Sequence, residues 1–210
     1  MTENVFFNIS DSEKEKLLTC LGTMNRSYSK GEIIYRSSDK NDYIGIITSG
    51  KAHVTCVDFE GTQSVLETLS ESGVFGEMFM LPMDQFGYYV EADSQCMVCF
   101  IRSDSITKPC RNACEYHCTF LGNLFAMAAV KARNLSLHIN ILSRRTTRQK
   151  LMAYFETQSI LLGTKTFDLP LSLTSLAEYI GSDRSAMMRE LKKMREEGVI
   201  EGSGRTVTLH

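Results

Sequence analysis

The segment Ser172–Ile200, SLTSLAEYIGSDRSAMMRELKKMREEGVI, decides the reading of this 210-residue chain. It holds two helical patterns separated by a tight turn. Ser172 is placed to cap a first helix whose Leu173, Leu176, Ala177 and Ile180 share one face. Gly181 ends that helix, and Asp183 caps a second one with Met187, Leu191 and Met194 on its buried side. Ala177 and Gly181, four residues apart, put small side chains where two helices cross closely, and the whole predicts a helix-turn-helix. The opposite face of the second helix carries Arg184, Ser185, Met188, Arg189 and Lys192. The N-terminal part of such a helix enters the DNA major groove, where an Arg fork donates two hydrogen bonds to O6 and N7 of guanine. Arg184 and Arg189 are therefore the candidate base readers. Ser172, Thr174 and Ser182 stand at helix starts, where hydroxyl and backbone N–H groups hold phosphate oxygens. A solvated amphipathic helix would account for the charges, but not for the caps and the small-residue spacing together.

Downstream, Gly198 stops the helix, Val199–Glu201 reads as a strand, Gly202–Gly204 as a turn and Arg205–Leu209 as the returning strand. A hairpin directly after a recognition helix is a wing, with Arg205 at its tip facing phosphate. Upstream, a unit opens near Ser143 with Arg144, Arg145 and Arg148, continues as a helix to about Leu161, and passes through a loop at Gly163–Phe167. Before it, from beyond Pro109 to about Leu142, the periodicity is helical. Leu121, Leu124, Ala128, Lys131, Leu135, His138 and Leu142 recur at alternating spacings of 3 and 4, a seam suited to two wrapped helices. Homodimerisation is the expectation, the alternative being a helix lying on its own barrel. Phe120, Phe125 and Met127 extend the apolar character beyond the seam, so that part is expected to be covered on more than one side.

From about Tyr28 to Ile101 the chain instead reads as short β-branched or aromatic runs separated by Gly and Ser/Asp turns, the pattern of a jelly-roll barrel. The expected fold is α+β. Residues 1–112 form an effector barrel, 113–142 a dimerisation helix and 143–210 a winged helix-turn-helix. Charge divides accordingly: residues 1–142 carry 12 Lys+Arg against 17 Asp+Glu, and residues 143–210 carry 11 against 8. A basic end on an acidic body fits a polyanion partner met at that end only. No apolar run reaches the roughly 18–20 residues of a spanning helix, and the polar, acidic N-terminus lacks the pattern of a secretory signal, so the expected address is the cytoplasm with no membrane contact. Seven scattered cysteines in a mid-sized chain argue for thiols rather than a disulfide framework.

In their order and spacing, Lys30-Gly31-Glu32, Ser49-Gly50-Lys51, Phe75-Gly76-Glu77, the long helix, and Gly181-Ser182-Asp183-Arg184-Ser185 through Arg189 to Gly198-Val199-Ile200 resemble the Crp/Fnr family of bacterial transcription regulators. The resemblance extends over nearly the full length. It implies an effector-sensing, cyclic-nucleotide-binding-like barrel, a dimerising helix and a DNA-binding winged helix. Arg184 and Arg189 match the family's base-reading arginines, whereas Ser185 stands where many members carry Glu, which alters the expected half-site. Cyclic-nucleotide binders of this family hold the phosphate with an Arg followed by a small hydroxyl residue. Here the stretch is Gln85-Phe86-Gly87-Tyr88-Tyr89, and no Arg lies between Glu77 and Arg102. Cyclic AMP is therefore disfavoured as effector, since Glu77 without a nearby cation repels a phosphate. Phe75, Gly76, Glu77, Phe79, Phe86, Tyr88 and Tyr89 are candidates to line a pocket for a small organic molecule or haem, or else are barrel core.

Cys110, Cys114 and Cys118, spaced by four with His117 adjacent, have the composition of a zinc or iron–sulfur site. Reversible thiol oxidation and plain burial are the other readings. The iron–sulfur members of the family carry a cysteine cluster near the N-terminus, where only Cys20 lies here, and no metal is assigned. Cys96 and Cys99 would face opposite sides of a strand. No Walker loop, Gly-x-Ser-x-Gly or His-Glu-x-x-His motif is present, and no catalytic residue is expected. The expected partners are double-stranded DNA at a near-palindromic site, a second copy of the chain, an unidentified effector and RNA polymerase. A sensor whose winged helix meets a protein instead is the alternative.

Overall fold

The structure, a computed structural model, describes residues 4–39, 42–76, 87–107 and 114–210. The chain divides into two compact units, Met1–Ala128 and Ala129–His210.

In the first unit, β1 (Met24–Tyr28), β8 (Cys96–Arg102), β3 (Tyr43–Ser49) and β6 (Val74–Phe75) form one sheet in that order. The second sheet runs β2 (Ile33–Arg36), β7 (Gly87–Ala92), β4 (Ala52–Val57) and β5 (Gln63–Leu69). All pairs are antiparallel, and the pairing of first with eighth, second with seventh, third with sixth and fourth with fifth is that of a jelly roll. Between the sheets lie Ile34, Tyr35, Ile47, Val54, Phe75, Val90, Val98 and Phe100. On the other side of the first sheet, Ile44, Ile46, Cys99 and Ile101 pack with Leu17 and Leu21 of α1 (Asp11–Leu21) and with Phe120. Burial on both faces explains why Ile44–Ile47 is a continuous apolar run instead of an alternation. Cys96 and Cys99 fall into different core clusters, as opposite-facing strand positions require.

Two strands lie outside the sequence reading. β1 is exposed over four of its five residues, three of them polar, so an edge strand here leaves no hydrophobic alternation to detect. β6 has only two residues.

A short helix, α2 (Ser103–Thr107), follows β8, and α3 (Glu115–Leu142) then runs for 28 residues. The segment expected as a separate dimerisation helix is shared between the units: Phe120 and Met127 sit in the core of the first, Ile141 in that of the second. The exposed seam is also displaced from the expected one. Leu124 packs against the first unit's core and His138 lies on Tyr179, whereas Phe125, expected to be covered, is 77% exposed. The solvent-facing apolar positions are Phe125, Ala128, Ala132, Leu135, Ile139 and Leu142, again spaced by 3 and 4.

The second unit contains α4 (Thr147–Leu162), α5 (Leu173–Tyr179) and α6 (Arg184–Glu196). Its three-stranded sheet is ordered β10 (Ile200–Glu201), β11 (Thr206–Leu209), β9 (Thr166–Asp168). β9 replaces part of the loop expected at Gly163–Phe167: Phe167 is buried and pairs with Val207, which gives the wing a third strand. Among the described residues no helix is long and apolar enough to cross a membrane.

Phe75 stands edge-on to Tyr35 and Phe100, and its ring covers Gly45 so closely that a Cβ there would overlap ring Cζ. Phe75→Ala is therefore expected to cost about 3–5 kcal/mol in urea unfolding. A loss below about 1 kcal/mol would show that the ring is not part of the packed core.

Candidate nucleic-acid interface

The interface is built on α6. Its start is fixed by Asp183, whose side chain accepts a hydrogen bond from the Ala186 N–H at 2.9 Å. Met187, Leu191 and Met194 are buried to within 1% of full occlusion, in a cluster with Leu151, Tyr154 and Phe155 of α4 and Leu176 and Ala177 of α5. With one side committed to the core, the helix presents Arg184, Ser185, Met188, Arg189 and Lys192 to solvent. From Arg184 to Lys192 the helix rises about 12 Å, close to the width of the major groove.

Gly181, in the turn before α6, has φ +56°, a left-handed conformation that favours glycine. A Cβ added there would meet only the Leu142 side chain at 3.4 Å and Lys150 Nζ at 3.7 Å. The backbone conformation, not a close helix crossing, is thus what demands this glycine, which corrects the expectation drawn from the Ala177/Gly181 spacing.

The phosphate-positioning candidates are distributed less simply than their sequence positions indicate. Ser172 caps α5, accepting from the Ser175 N–H at 3.0 Å, and Thr174 is exposed in its first turn. Ser182 Oγ is hydrogen-bonded to Thr147 Oγ1 at 3.1 Å, so its hydroxyl ties the turn to the start of α4. Arg205 does not project from the wing tip. Its Nε donates to the Leu169 carbonyl at 3.0 Å, Nη2 donates to the same oxygen, and the Leu169 N–H returns a bond to the Arg205 carbonyl at 2.9 Å. A guanidinium one residue before a strand finds the neighbouring strand's last carbonyls within reach, and this arrangement anchors the wing.

Three further side chains hold the reading face in place. Arg148 on α4 bonds the Glu197 carboxylate at the C-terminal end of α6 and lies 3.5 Å from Glu190. Lys150 Nζ donates to the Gly181 carbonyl at 3.1 Å. His138 stacks on Tyr179 at a centroid distance of 4.0 Å, and its Nε2–H donates to the Tyr179 carbonyl at 2.7 Å, which fixes the proton on Nε2. Below that stack, burial together with neighbouring Tyr179 pushes the Tyr154 hydroxyl up to about 12. Sequence reading passed over Lys150 and misassigned His138 because their partners are backbone carbonyls, which leave no side-chain signature. The basic run at residues 144–148 was the only signal for Arg148.

Of the effector-pocket candidates, Glu77, Phe79 and Phe86 lie outside the described residues. Phe75 belongs to the sheet core, and Gly76 has φ +96° against the Tyr43 carbonyl. Tyr88 shares a strand face with the buried Val90 and Ala92, and burial raises its hydroxyl. Tyr89 points to the opposite face, where its hydroxyl donates to Gln63 Oε1 at 3.1 Å. The two tyrosines therefore do not line one pocket, since adjacent strand residues alternate.

Cys110 also lies outside the described residues. Among the described residues no group of three or more His, Cys, Asp or Glu is placed to hold a metal, and no disulfide joins the cysteines. His117 is buried beside Cys20, Nδ1 to Sγ at 4.0 Å, which places it against α1.

A jelly-roll domain followed by a capped helix-turn-helix with a β-wing defines a class of DNA-binding proteins. Residues 25–112 match the cyclic nucleotide-binding domain family and residues 141–210 the Crp-like helix-turn-helix domain family, about three quarters of the chain together. The chain belongs to the Crp/Fnr family of transcription regulators. It is 26% identical to the transcriptional activator protein FnrL of Cereibacter sphaeroides over 190 residues, which cover 86% of this chain and 73% of that one. It is 25% identical to the cyclic AMP receptor protein of Thermus thermophilus over 185 residues, 88% and 82% of the two chains. The solved structure of CprK complexed with OCPA has the same fold, with a TM-score of 0.68 at 15% identity over 93% of this chain and 91% of that one.

The Arg148 guanidinium holds the Glu197 carboxyl below its ordinary range. A depressed carboxylate stabilises the fold above its unfolded pKa and loses that contribution as pH falls through the folded value. Glu197→Gln is thus expected to lower the melting temperature at pH 7, and its difference from wild type to begin shrinking near the ordinary carboxylate pKa of about 4.3 and to vanish only at pH values below the lowered folded one. A difference that persisted unchanged into acid would show that the pair adds nothing through its charge.

Proposed function

We propose that this Crp/Fnr-family regulator acts as a homodimer that reads a near-palindromic duplex through α6. In this reading the barrel, residues 1–112, takes an effector other than cyclic AMP, the segment 113–142 dimerises, and residues 143–210 bind DNA. The observation that carries the proposal is the division of α6 into a fully buried apolar side and an exposed side of Arg184, Ser185, Met188, Arg189 and Lys192. Arg184 and Arg189 donate in pairs to guanine, and Lys192, Thr174 and the N-terminal turn of α5 at Ser172 meet phosphate. Ser182 and Arg205 act chiefly by holding the turn and the wing, through Thr147 and Leu169.

The homodimer rests on the solvent-facing seam of α3. Large apolar groups at Leu135, Ile139 and Leu142 are 62%, 65% and 42% exposed, and their heptad spacing suits a parallel partner helix. Ala128, Leu135 and Leu142 are common to this seam and to the one expected from sequence, whereas Leu121, Leu124, Lys131 and His138 give way to Phe125, Ala132 and Ile139. Two recognition helices about a two-fold axis ask for half-sites one helical turn apart.

The effector reading rests on charge. Neither Arg nor Lys occurs between Glu77 and Arg102, so nothing in that stretch neutralises a cyclic phosphate. An effector that binds the DNA-competent state more tightly raises DNA affinity by that differential. Contact with RNA polymerase then makes such a dimer an activator, and occlusion of a promoter makes it a repressor.

Fluorescence anisotropy with duplexes selected from a randomised inverted-repeat library tests the reading. Wild type is expected to select one repeat with salt-sensitive affinity, and Arg189→Ala to lose about 10- to 100-fold and relax the preference at one base pair per half-site. Salt-insensitive binding, or a mutant that selects the same sequence equally well, would favour a protein partner instead. In sedimentation, Ile139→Glu is expected to convert a dimer into a monomer, and a dimer unaffected by that charge would place the interface elsewhere.

A further inference from the structure

On α6 every other residue of the exposed face is charged or hydroxylic, yet its centre is occupied by Met188, a thioether 37% exposed to solvent. The core does not need it: Met187, Leu191 and Met194 already complete the buried side, and Met188 lies outside that cluster. Arg184 and Lys192 stand one turn to either side of it, Ser185 stands three residues before it, and Arg189 follows directly. Met188 lies between the two arginines both along the helix axis and around it, about 40° from Arg184 and about 100° from Arg189.

Resting on the DNA-binding reading above, we infer that Met188 is a specificity-determining residue that reads the C5-methyl of a thymine. Among the groups that distinguish base edges in the major groove, the donors and acceptors are polar and the thymine C5-methyl is the one alkyl group. A thioether placed over adenine N6 or cytosine N4 strips water from a donor and offers it no partner, whereas over thymine it covers a group that gains by leaving water. Arg184 and Arg189 are about 7.5 Å apart along the helix axis, roughly two base steps, so the thymine lies within the steps that they bracket. The unbranched, three-torsion side chain adapts to the methyl without fixing the helix more deeply in the groove.

Single replacement of thymine by deoxyuridine removes that methyl and leaves base pairing intact. After selection of the preferred inverted repeat, each thymine is replaced in turn and binding is measured by anisotropy with the full chain. Low salt and micromolar protein allow the DNA-competent fraction to bind without its effector. One thymine per half-site is expected to be sensitive, weakening wild type about 4-fold per methyl, the factor equivalent to about 0.8 kcal/mol. Met188→Ala is expected to bind both duplexes equally while keeping its preference for the guanines, and Met188→Leu to retain the methyl preference. Indifference of wild type to every replacement, or an undiminished methyl preference in Met188→Ala, overturns the assignment while leaving the base-reading helix standing. Failure of wild type to select any sequence overturns both.

Discussion

The burial of Met187, Leu191 and Met194 against α4 and α5 is the constraint on which the rest of the second unit depends. An α-helix shows about a third of its surface to its neighbours, so fixing that third fixes the direction of the remainder. Rotation by one residue, about 100°, would bury Met188 and turn Arg184 and Arg189 out of line. The polar contacts all defend this setting. Asp183 sets where the helix begins, Arg148 holds its end through Glu197, and Lys150 and His138 grip the preceding turn by its carbonyls. None of these side chains belongs to the reading face, and each is a means of presenting it.

In the first unit the governing constraint is different. One sheet is covered on both sides, by the second sheet and by α1 with the first half of α3, so its inner strands β3 and β8 carry continuous apolar runs. The second sheet has one face on the core, and its edge strand β5 is exposed along most of its length. Tyr88 and Tyr89 illustrate the consequence: two adjacent aromatic residues that look like a pocket lining in one dimension are separated by the pleat in three.

Much of this was legible in the sequence. The caps at Ser172 and Asp183, the apolar faces of α5 and α6, the hairpin after Gly198 and six of the eight barrel strands follow from local patterning, because in each the side chains that pack are the side chains that signal. What escaped has a common physical cause. β1 is a polar edge, β9 gains its identity only by pairing with β11, and Arg205 finds the backbone carbonyl of Leu169 just beyond β9. The seam of α3 is the instructive case. Leu121, Ala128, Leu135 and Leu142 serve two registers equally well, one completed by Leu124, Lys131 and His138, the other by Phe125, Ala132 and Ile139. Periodicity alone cannot choose between them. Tertiary packing chooses, since Leu121 and Leu124 are taken by the first unit's core and His138 by Tyr179, which leaves the exposed register to start at Phe125.

The central claim is that the exposed side of α6 enters the major groove twice, once per half-site. Guanine methylation interference tests it most directly, because dimethyl sulfate modifies N7, the atom that an Arg fork must reach. Interference is expected at guanines in two clusters about 10 to 10.5 base pairs apart, related by a two-fold axis. Interference confined to a single cluster, or binding indifferent to guanine N7 methylation, would contradict it.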